Sequence, residues 1–442
     1  MDEIQRLPAK AGDLGWFELS RFKEHKFTDI SELKKDYDYV IIGGGFAGVN
    51  AAHKLAENRP EAKIALFEAL KIGMGDSGRN AGFLMDIPHS FGEPGVTMDD
   101  HKYRFHLNKL IIERMRHLKN KHKLQVDWVE SGKYLSGHET KYLKNLDALA
   151  NIVAGVGGKS QFIDGEELAA RLGTRYYQKA VYTSGTVLIN PSETVRGFAS
   201  ILPENVEIFE ETPVLKIDEG KTINIQLVNG KNVKAGDLLL LSGVFIDSFG
   251  IEQKGRMTPA GSFGAFTREL TEDELTDFKN VKPWGCTSAH AAGTTVRFTP
   301  TKRIYVRNGL TFPTHLTLSP ERVFRARKTL RRAFENRFPK LKHVNFEFVY
   351  GGMIPLTLNG ASFFFQKSPH VFAAAAVGDG SGLTRSSMLG FFLADLACGV
   401  DSEELRYLLK TSHPKWCPPE PIKTIAANIR MSLEEFNAKG EI

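Results

Sequence analysis

The first clear pattern along the chain is a strand, a glycine-rich turn, a helix and a second strand. Residues 37–42 form a β-rich, nearly wholly apolar run, as expected for a strand buried on both faces of a parallel sheet. Small apolar residues then recur at helical spacing over 48–56, and Pro60 ends that segment. A second apolar run covers 63–67. The pattern predicts a βαβ unit.

Further along, shorter β-rich runs predict hairpins. One is expected around Asn229-Gly230, as a type I′ turn, because that turn needs two residues that tolerate positive φ. Another spans 293–309, with alternating polar and apolar positions. Helical spacing returns in three segments, 101–122, 321–338 and about 384–397, and the last of these follows a buried strand at 371–377.

Composition narrows the class of protein. The 442 residues include 42% hydrophobic and 25% charged residues, which excludes disordered and fibrous chains. The three cysteines are widely spaced and form no CxxC, so neither a disulfide framework nor a zinc site is expected. We find no signal peptide and no apolar run long enough to span a membrane, and therefore predict a cytoplasmic protein without a bound metal.

The glycines between the first strand and the helix fit GxGxxG, with Gly43, Gly45 and Gly48 at the required positions. Glycine permits the tight turn and the close approach of a pyrophosphate, and the helix N-terminus presents free N–H groups to the phosphates. Glu68 ends the second strand 20 residues after Gly48, where a carboxylate binds ribose hydroxyls. The motif predicts a dinucleotide site; a glycine turn without a ligand is the alternative.

A second glycine-rich turn favours FAD over NAD. Gly378, Gly380 and Gly382 follow a buried strand and open a helix, whose positive end suits the anionic pyrimidine part of a reduced flavin. No other GxGxxG is available to hold a nicotinamide cofactor beside the flavin. A plain strand–helix turn remains the alternative for this segment.

These motifs resemble a known family. "DYVIIGGGFAGVNAAHKLAE", followed by "GMGDSGRNAGF", is similar to the flavin-dependent amine and amino-acid oxidases of the D-amino-acid oxidase / glycine oxidase superfamily, and within it to the gamma-glutamylputrescine oxidoreductase branch. The likeness extends to an N-terminal arm with Trp16, to "GTVLINPSETVRGF", "RFTPTKRIYV" and "YGGMIPLT", and to "PPEP" near the end. Asp76 and Asn359-Gly360-Ala361-Ser362 depart from the family pattern.

The resemblance implies noncovalent FAD, because no histidine or cysteine stands in a covalent-flavin motif. It also implies that the "SGRN" segment covers the flavin, with Arg79 as a fixed positive charge; pairing of Arg79 with Asp76 is the alternative. The residues expected to contact FAD are Gly43, Gly45, Phe46, Ala47, Gly48, Glu68, Ala69, Gly75, Ser77, Gly78, Arg79, Asn80, Val214, Gly378, Gly380, Gly382, Leu383 and Thr384.

The substrate pocket is less well marked, and the catalytic residues are not identified. Arg297 and Arg303, on the hairpin that faces the flavin in relatives, are candidates for binding a carboxylate, and alternation places both on one face. Arg79, His290 and Tyr350 are further candidates. Solvent-exposed strand ends for the two hairpin arginines, and an ordinary histidine, are the alternatives.

The predicted fold is α/β (α+β overall), with a doubly wound, Rossmann-like FAD domain interleaved with an antiparallel-sheet substrate domain. The expected boundaries are 1–95, 176–255 and 363–442 for the FAD domain and 96–175 and 256–362 for the substrate domain. The basic helix 321–338 is expected to present a solvated outer face, and docking to anionic lipid or nucleic acid is the alternative. No nucleic-acid partner is expected.

The implied reaction is oxidation of the C–N bond of a small amine or amino acid to an imine, by hydride transfer to flavin, with dioxygen as electron acceptor. The alternatives are a dehydrogenase that uses a quinone or a protein acceptor, and a FAD-binding protein without turnover. A protein binding only NAD is a third.

Overall fold

The computed structural model describes residues 4, 6–87, 96–250, 255–375 and 380–442. Its helices are α1 (Gly15–Glu18), α2 (Phe46–Asn58), α3 (Met98–Lys121), α4 (Lys144–Gly155), α5 (Gly165–Leu172), α6 (Pro191–Ala199), α7 (Pro320–Arg337), α8 (Gly382–Ala397), α9 (Glu403–Thr411) and α10 (Ile422–Asn437). Its strands are β1 (Asp36–Ile42), β2 (Ile64–Phe67), β3 (Phe83–Leu84), β4 (Trp128–Val129), β5 (Lys133–Gly137), β6 (Ser160–Asp164), β7 (Lys179–Thr183), β8 (Val187–Ile189), β9 (Val206–Phe209), β10 (Val214–Asp218), β11 (Ile223–Leu227), β12 (Asn232–Leu240), β13 (Ala260–Thr267), β14 (Trp284–Ser288), β15 (Thr295–Phe298), β16 (Ile304–Thr311), β17 (Phe346–Ile354), β18 (Phe363–Ser368) and β19 (Val371–Ala375).

The first sheet is built on five parallel strands in the order β9, β2, β1, β12, β19. β18 adds antiparallel to β19, and the β10–β11 hairpin adds antiparallel to the first half of β12. On β1, Tyr39 and Ile41 pack into the core on one face, while Val40 and Ile42 pack into the core on the other. Burial on both faces explains why the second half of this strand is continuously apolar, and the parallel sheet with helices packed on it confirms the predicted α/β fold class.

Helices α2 and α8 pack against each other on one face of this sheet, and their contact depends on a glycine. A Cβ on Gly390 of α8 would lie 1.9 Å from the carbonyl oxygen of Ala47 in α2. Because that atom belongs to the backbone, no rotation of a side chain can relieve the contact. The two helices therefore approach more closely than any other residue at position 390 would allow.

We expect Gly390→Ala to lower the free energy of unfolding by about 2 kcal/mol, because the overpacking cost exceeds the gain in helix propensity. Gly382→Ala is the matched control, since it is the same change in the same helix and its Cβ would meet none of the described residues within 4 Å. Urea unfolding of the FAD-free proteins measures both. Equal stability of the two variants would contradict the expectation.

The second large sheet has the strand order β17, β13, β16, β15, β14, β5, β7, β6. Its neighbours are antiparallel except for β14 and β5, which run parallel. The basic helix α7 packs on this sheet through Val323, Leu330, Ala333 and Phe334, and most of its charged residues face outward. A small third sheet has the order β3, β8, β4.

The domain boundaries drawn from the sequence remain a prediction. Two elements contact the second sheet although these boundaries assign them to the FAD domain. β7 belongs to the second sheet, although the predicted boundary at residue 176 gave it to the FAD domain. Helix α10 also contacts the second sheet, because Glu435 accepts a hydrogen bond from the Leu310 backbone N–H at 2.8 Å.

The predicted hairpins form, and one turn differs from the expected type. β11 and β12 pair antiparallel around Asn229-Gly230. Gly230 has φ of 83°, whereas Asn229 does not adopt positive φ, so the turn is not type I′. The Asn229 side chain instead accepts a hydrogen bond from the Lys231 N–H at 3.0 Å, and this local bond stabilises the alternative turn.

Across the described part of the chain, no helix combines the length and the apolar content that crossing a membrane requires. In the same ranges, no three His, Cys, Asp or Glu side chains come together as a metal-binding group.

Candidate functional site

A deep cleft lies where the carboxyl ends of the first sheet's strands meet one end of the second sheet. It holds about 1190 Å³ of empty space, counting the part open to solvent. Residues 42–45 and 67–70 line it from the first sheet, 351–353 line it from the second, and the arm at residues 6–9 covers part of it. A cleft lined by the glycine turn of one sheet and by a strand of the other is a candidate site for a cofactor and a small ligand.

The glycine motif forms the floor of this cleft. Gly43 has φ of 111°, and a Cβ there would lie 2.5 Å from the carbonyl oxygen of Leu241. A Cβ on Gly48 would lie 1.8 Å from the Gly43 carbonyl oxygen. Gly45 is the N-cap of α2 and, having no side chain, leaves the helix N-terminus open toward the cleft. The first and last glycines of the motif are thus required by the backbone itself.

Glu68 links the end of β2 to the glycine turn. Its Oε2 accepts a hydrogen bond from Gly44 N and its Oε1 accepts one from Leu70 N, both at 2.8 Å. Burial raises the pKa of Glu68 to about 7, and the two backbone N–H groups oppose that shift. The carboxylate is therefore held in the cleft wall in a fixed orientation and is ionised only near and above neutral pH.

Residues 75–80, with the sequence GDSGRN, make a turn beside the glycine motif. Asp76–Gly78 form one 3₁₀ turn, and Ser77 Oγ accepts a hydrogen bond from Phe46 N at 3.1 Å. Gly75 and Ser77 line the cleft, and a Cβ on Gly75 would meet nothing within 4 Å among the described residues. Gly78 and Asn80 lie behind that surface. A Cβ on Gly78 would lie 1.8 Å from the Gly73 carbonyl oxygen.

Arg79 lines the cleft and is 8% exposed. Its Nε donates to Met74 O at 2.8 Å, and its Nη1 donates to Ala11 O at 3.1 Å and Gly351 O at 2.9 Å. Its Nη2 is buried without a hydrogen-bond partner among the described residues. Burial lowers the pKa of this guanidinium from its ordinary value. Three carbonyls thus fix a positive charge that leaves one donor unused.

The side chain of Asp76 bonds to the second sheet rather than to the guanidinium of Arg79. Its Oδ1 accepts a hydrogen bond from Met353 N at 2.8 Å, which ties the 3₁₀ turn to β17 of the second sheet. Burial raises the pKa of Asp76 to about 6, while the Met353 N–H and the charge of Arg79 oppose the shift. The predicted alternative, a direct Arg79–Asp76 pair, is not what holds Arg79 in place.

A cluster of aromatic residues stands next to Arg79. Trp16, from the N-terminal arm, donates from Nε1 to Asn80 O at 2.8 Å and packs edge-on against Phe266 with ring centroids 4.5 Å apart. Tyr305 and Tyr350 complete the cluster, and their hydroxyl groups are 3.4 Å apart. Tyr350 is fully buried, so it supports this end of the second sheet from behind the surface of the cleft.

Arg297 lies on the same face of the second sheet as Tyr305 and is fully buried under Trp16. Its Nη1 donates to the carbonyl oxygens of Ala81 at 2.9 Å and Ile189 at 2.7 Å. Its Nε and Nη2 have no partner among the described residues. Burial lowers the pKa of Arg297 to about 10. Arg297 is thus brought near the aromatic cluster, with unused donors.

The other two pocket candidates are placed elsewhere. Arg303 shares the face of Arg297, as the alternation predicts, but it forms an ion pair with Glu347 and donates to Thr267 O at 2.9 Å. His290 lies just after the end of β14, where its Nε2 is 3.6 Å from Glu434 of α10. Neither is part of the described cleft wall.

The residues predicted to contact FAD divide into three sets. Gly43, Gly45, Glu68, Ala69, Gly75, Ser77, Arg79 and Val214 line the cleft, and Phe46, Ala47 and Gly48 start the helix at its floor. Gly78, Asn80, Gly380, Gly382, Leu383 and Thr384 are outside the described cleft wall, although Thr384 Oγ1 is buried without a partner among the described residues. Gly378 lies outside the described residues.

Two parts of the wall were not found from the sequence. Residues 241–243 follow β12 and line the cleft, which the position of β12 beside β1 explains. Residues 316–318 also line it, next to an unusual backbone in which His315 and Leu316 have φ of 62° and 55°. Left-handed conformations in residues other than glycine cluster at functional sites, but no composition signal marks them in advance.

The cleft and the two sheets define the class of protein. The profile of the DAO family, FAD dependent oxidoreductase, matches residues 38–396, so the chain belongs to this family and is an FAD-dependent enzyme. This confirms the predicted family and the predicted cofactor.

Relatives along the whole chain are distant in sequence. The chain is 24% identical over 433 residues to the probable oxidoreductase OrdL of Haemophilus influenzae, covering 94% of this chain and 95% of that protein. It is 23% identical over 402 residues to the gamma-glutamylputrescine oxidoreductase of Escherichia coli, covering 88% and 90%. Among solved structures, glycine oxidase from Geobacillus kaustophilus matches with a TM-score of 0.70 at 17% identity, over 84% of this chain and 96% of that one.

Proposed function

We propose that this enzyme oxidises the C–N bond of a small amine or amino acid to an imine and passes the electrons to dioxygen. The observation that carries the proposal is the cleft, which is lined both by the dinucleotide motif of the first sheet and by β17 of the second. The names of the relatives support the substrate class, since they include a gamma-glutamylputrescine oxidoreductase and a glycine oxidase.

The residues present fit noncovalent FAD. The Gly43–Gly45 turn and the open N-terminus of α2 suit a pyrophosphate, and Glu68 is held where a ribose hydroxyl would donate to it. Glu68, just after β2, and Val214, at the start of β10, both line the cleft and leave room between them for the adenine. Thr384 Oγ1, which has no partner among the described residues, marks a second polar position near the start of α8. When bound, FAD supplies an acceptor for the hydride.

The side chains around the cleft then have two tasks. Arg79 supplies a fixed positive charge, since three carbonyls hold its guanidinium beside the cleft. Leu316, Leu318 and Met353 give an apolar wall that helps to exclude water from the reacting carbon. A neutral amine needs no general base from the protein, so most of the catalysis is orientation and electrostatics.

Anaerobic titration of the yellow protein tests the proposal. Polyamines, gamma-glutamylated amines, N-methyl amino acids and D-amino acids are added in turn while the visible absorbance of the flavin is recorded. We expect one class to bleach the flavin, and admission of air to restore the colour and yield hydrogen peroxide. A flavin that bleaches but recovers only with a quinone would replace dioxygen as the acceptor. A flavin that no amine bleaches would contradict the proposed reaction.

The pH dependence of FAD binding follows from Glu68. A ribose hydroxyl can donate to the carboxylate but finds a poorer acceptor in the carboxylic acid, and burial raises the pKa of Glu68 to about 7 in the FAD-free protein. Binding should therefore be strongest above pH 7 and weaken below it, by up to about tenfold for each pH unit. Fluorescence titration of FAD into the FAD-free protein between pH 5.5 and 8.5 measures this.

Glu68→Gln is the control for that titration. The amide cannot ionise, so the variant should bind FAD more weakly at pH 8 and show a flat profile across the same range. A wild-type profile that is equally flat would contradict the proposed role of Glu68.

A further inference from the structure

Helix α10 presents its apolar side to solvent. Each of its five large outward residues is more than half exposed, and Phe436 reaches 74%. None of the sixteen residues of α10 is buried. The five residues are Ile422, Ile425, Ile429, Leu433 and Phe436. Exposed apolar surface of this kind, contiguous along a helix, marks an interaction site.

The helix is held to the body of the protein by its other side. Glu435 accepts a hydrogen bond from Leu310 N at 2.8 Å, and Tyr142 donates to Asn437 O. Glu434 lies 3.6 Å from the His290 ring. An amphipathic helix that only packed on its own domain would turn its large apolar residues inward. Here the polar contacts face inward, and the apolar side is left for another molecule.

The five exposed apolar residues form a stripe along α10. The width of this stripe favours another helix over a lipid surface as the binding partner. At 100° per residue the five positions fall within about 80° of arc, which is narrower than a core-facing stripe and is typical of a helix–helix seam. The charges beside the stripe are already paired, because Arg430 contacts Glu434 at 2.6 Å and Lys423 contacts Glu420 at 3.4 Å. The cationic face that anionic membranes attract is therefore weak here.

The spacing of the stripe is symmetric about Ile429. Ile425 and Leu433 lie four residues to either side, and Ile422 and Phe436 lie seven residues to either side. An antiparallel copy of the same helix, related by a two-fold axis at Ile429, would match each position with an apolar residue. Ile429 would face the partner's Ile429, Ile425 the partner's Leu433, and Ile422 the partner's Phe436. A self-complementary patch of this kind is what a two-fold dimer requires.

We propose that α10 is the core of a homodimer interface, in which two copies of the helix pack antiparallel with Ile429 on the two-fold axis. The stripe runs about 21 Å along the helix axis. Its five side chains expose several hundred Å² on each copy, so with the flanking residues the interface approaches the roughly 800 Å² per partner of a standard complex. The proposal concerns assembly and does not depend on the reaction proposed above.

The first test is the mass of the FAD-loaded full-length protein in solution, by sedimentation. We expect twice the 49.2 kDa of one chain at micromolar concentration. Ile429→Asp should give a monomer that keeps its FAD, because the axis brings the two new carboxylates face to face. Phe324→Asp is the matched control, since it changes a residue of α7 that is 77% exposed, and it should remain dimeric. A monomeric wild type, or a dimeric Ile429→Asp, would overturn the proposal.

The antiparallel register has its own test. Ile425→Lys and Leu433→Glu should each weaken the dimer by about 100-fold when studied alone. Mixed in equal amounts they should form a dimer, because the introduced lysine of one copy then faces the introduced glutamate of the other and the remaining pair stays apolar. No recovery on mixing would reject this register. Pelleting of a monomeric wild type with vesicles of anionic lipid would reject the second copy as the occupant.

Discussion

Replacement of Gly48 by alanine is expected to give a folded protein that is colourless, because it cannot hold FAD. The added Cβ would lie 1.8 Å from the Gly43 carbonyl oxygen, and the glycine turn must move to relieve that contact. A shift of this turn displaces the N–H groups that face the cleft. A steric cost of about 3 kcal/mol corresponds to FAD affinity roughly 100-fold lower. Visible absorbance and FAD titration of the purified variant measure the effect.

Two further glycine-to-alanine changes make the result interpretable. A Cβ on Gly45 would lie 2.5 Å from Ser77 Oγ, the end of a side chain that can rotate, so Gly45→Ala should lose less affinity than Gly48→Ala. A Cβ on Gly220 meets only ordinary contact, at 3.6 Å, so Gly220→Ala should bind like the wild type. Circular dichroism must show all three folded. A yellow Gly48→Ala protein would refute the assignment of this turn to the dinucleotide.

Replacement of Arg79 by methionine is expected to slow the anaerobic bleaching of the flavin by about 100- to 1000-fold, the size of effect seen when a fixed donor is removed from a catalytic site. The guanidinium is held by three carbonyls, and its Nη2 is buried without a partner among the described residues, so its charge is already in position when the substrate arrives. Rapid-mixing absorbance measures the rate. Arg79→Lys should recover part of the bleaching rate, because lysine restores the positive charge but not the several fixed donors of the guanidinium.

A comparison of substrates with and without a carboxylate distinguishes two possible roles of Arg79. A charge that acts at the cofactor slows every substrate and leaves the apparent KM little changed. An arginine that binds a substrate carboxylate would instead raise the KM of carboxylated substrates alone. Arg268→Met is the matched control, since it removes a guanidinium that donates to a backbone carbonyl and to Glu274 away from the cleft. If Arg79→Met keeps its FAD and the full bleaching rate, the electrostatic role is wrong.

The sequence predicted local structure well where one physical requirement dominates. The strand, glycine turn and helix at residues 36–58 could be placed because buried parallel strands are continuously apolar and because Gly43 and Gly48 have no substitute. Helix α7 was similarly clear from its apolar spacing. Features that depend on distant partners could not be placed. Nothing in β12 itself shows that it pairs with three strands, β1, β11 and β19.

In the candidate site too, the residues fixed by a local requirement could be predicted, whereas those that depend on distant partners could not. Glu68 and the "SGRN" turn were predicted from spacing and resemblance, and the structure brings both to one cleft. The arginines of the hairpin had no such constraint, because alternation gives the face of a strand but not the position along it. Arg297 and Arg303 share a face, yet one lies under Trp16 and the other pairs with Glu347. Periodicity also cannot say whether a second molecule covers the apolar side of α10.

The order of strands in the first sheet bears on how the enzyme matures in the cell. β1 and β2 leave the ribosome early, but their neighbour β12 follows about 170 residues later and β19 about 130 residues after that. Until then the apolar β1 has no partner on one edge, and α2 lacks the helix that packs against it. The nascent chain therefore leaves apolar surface uncovered until these later segments are made, and folding must then close the sheet faster than the chain aggregates. FAD can join only a chain whose synthesis is nearly complete.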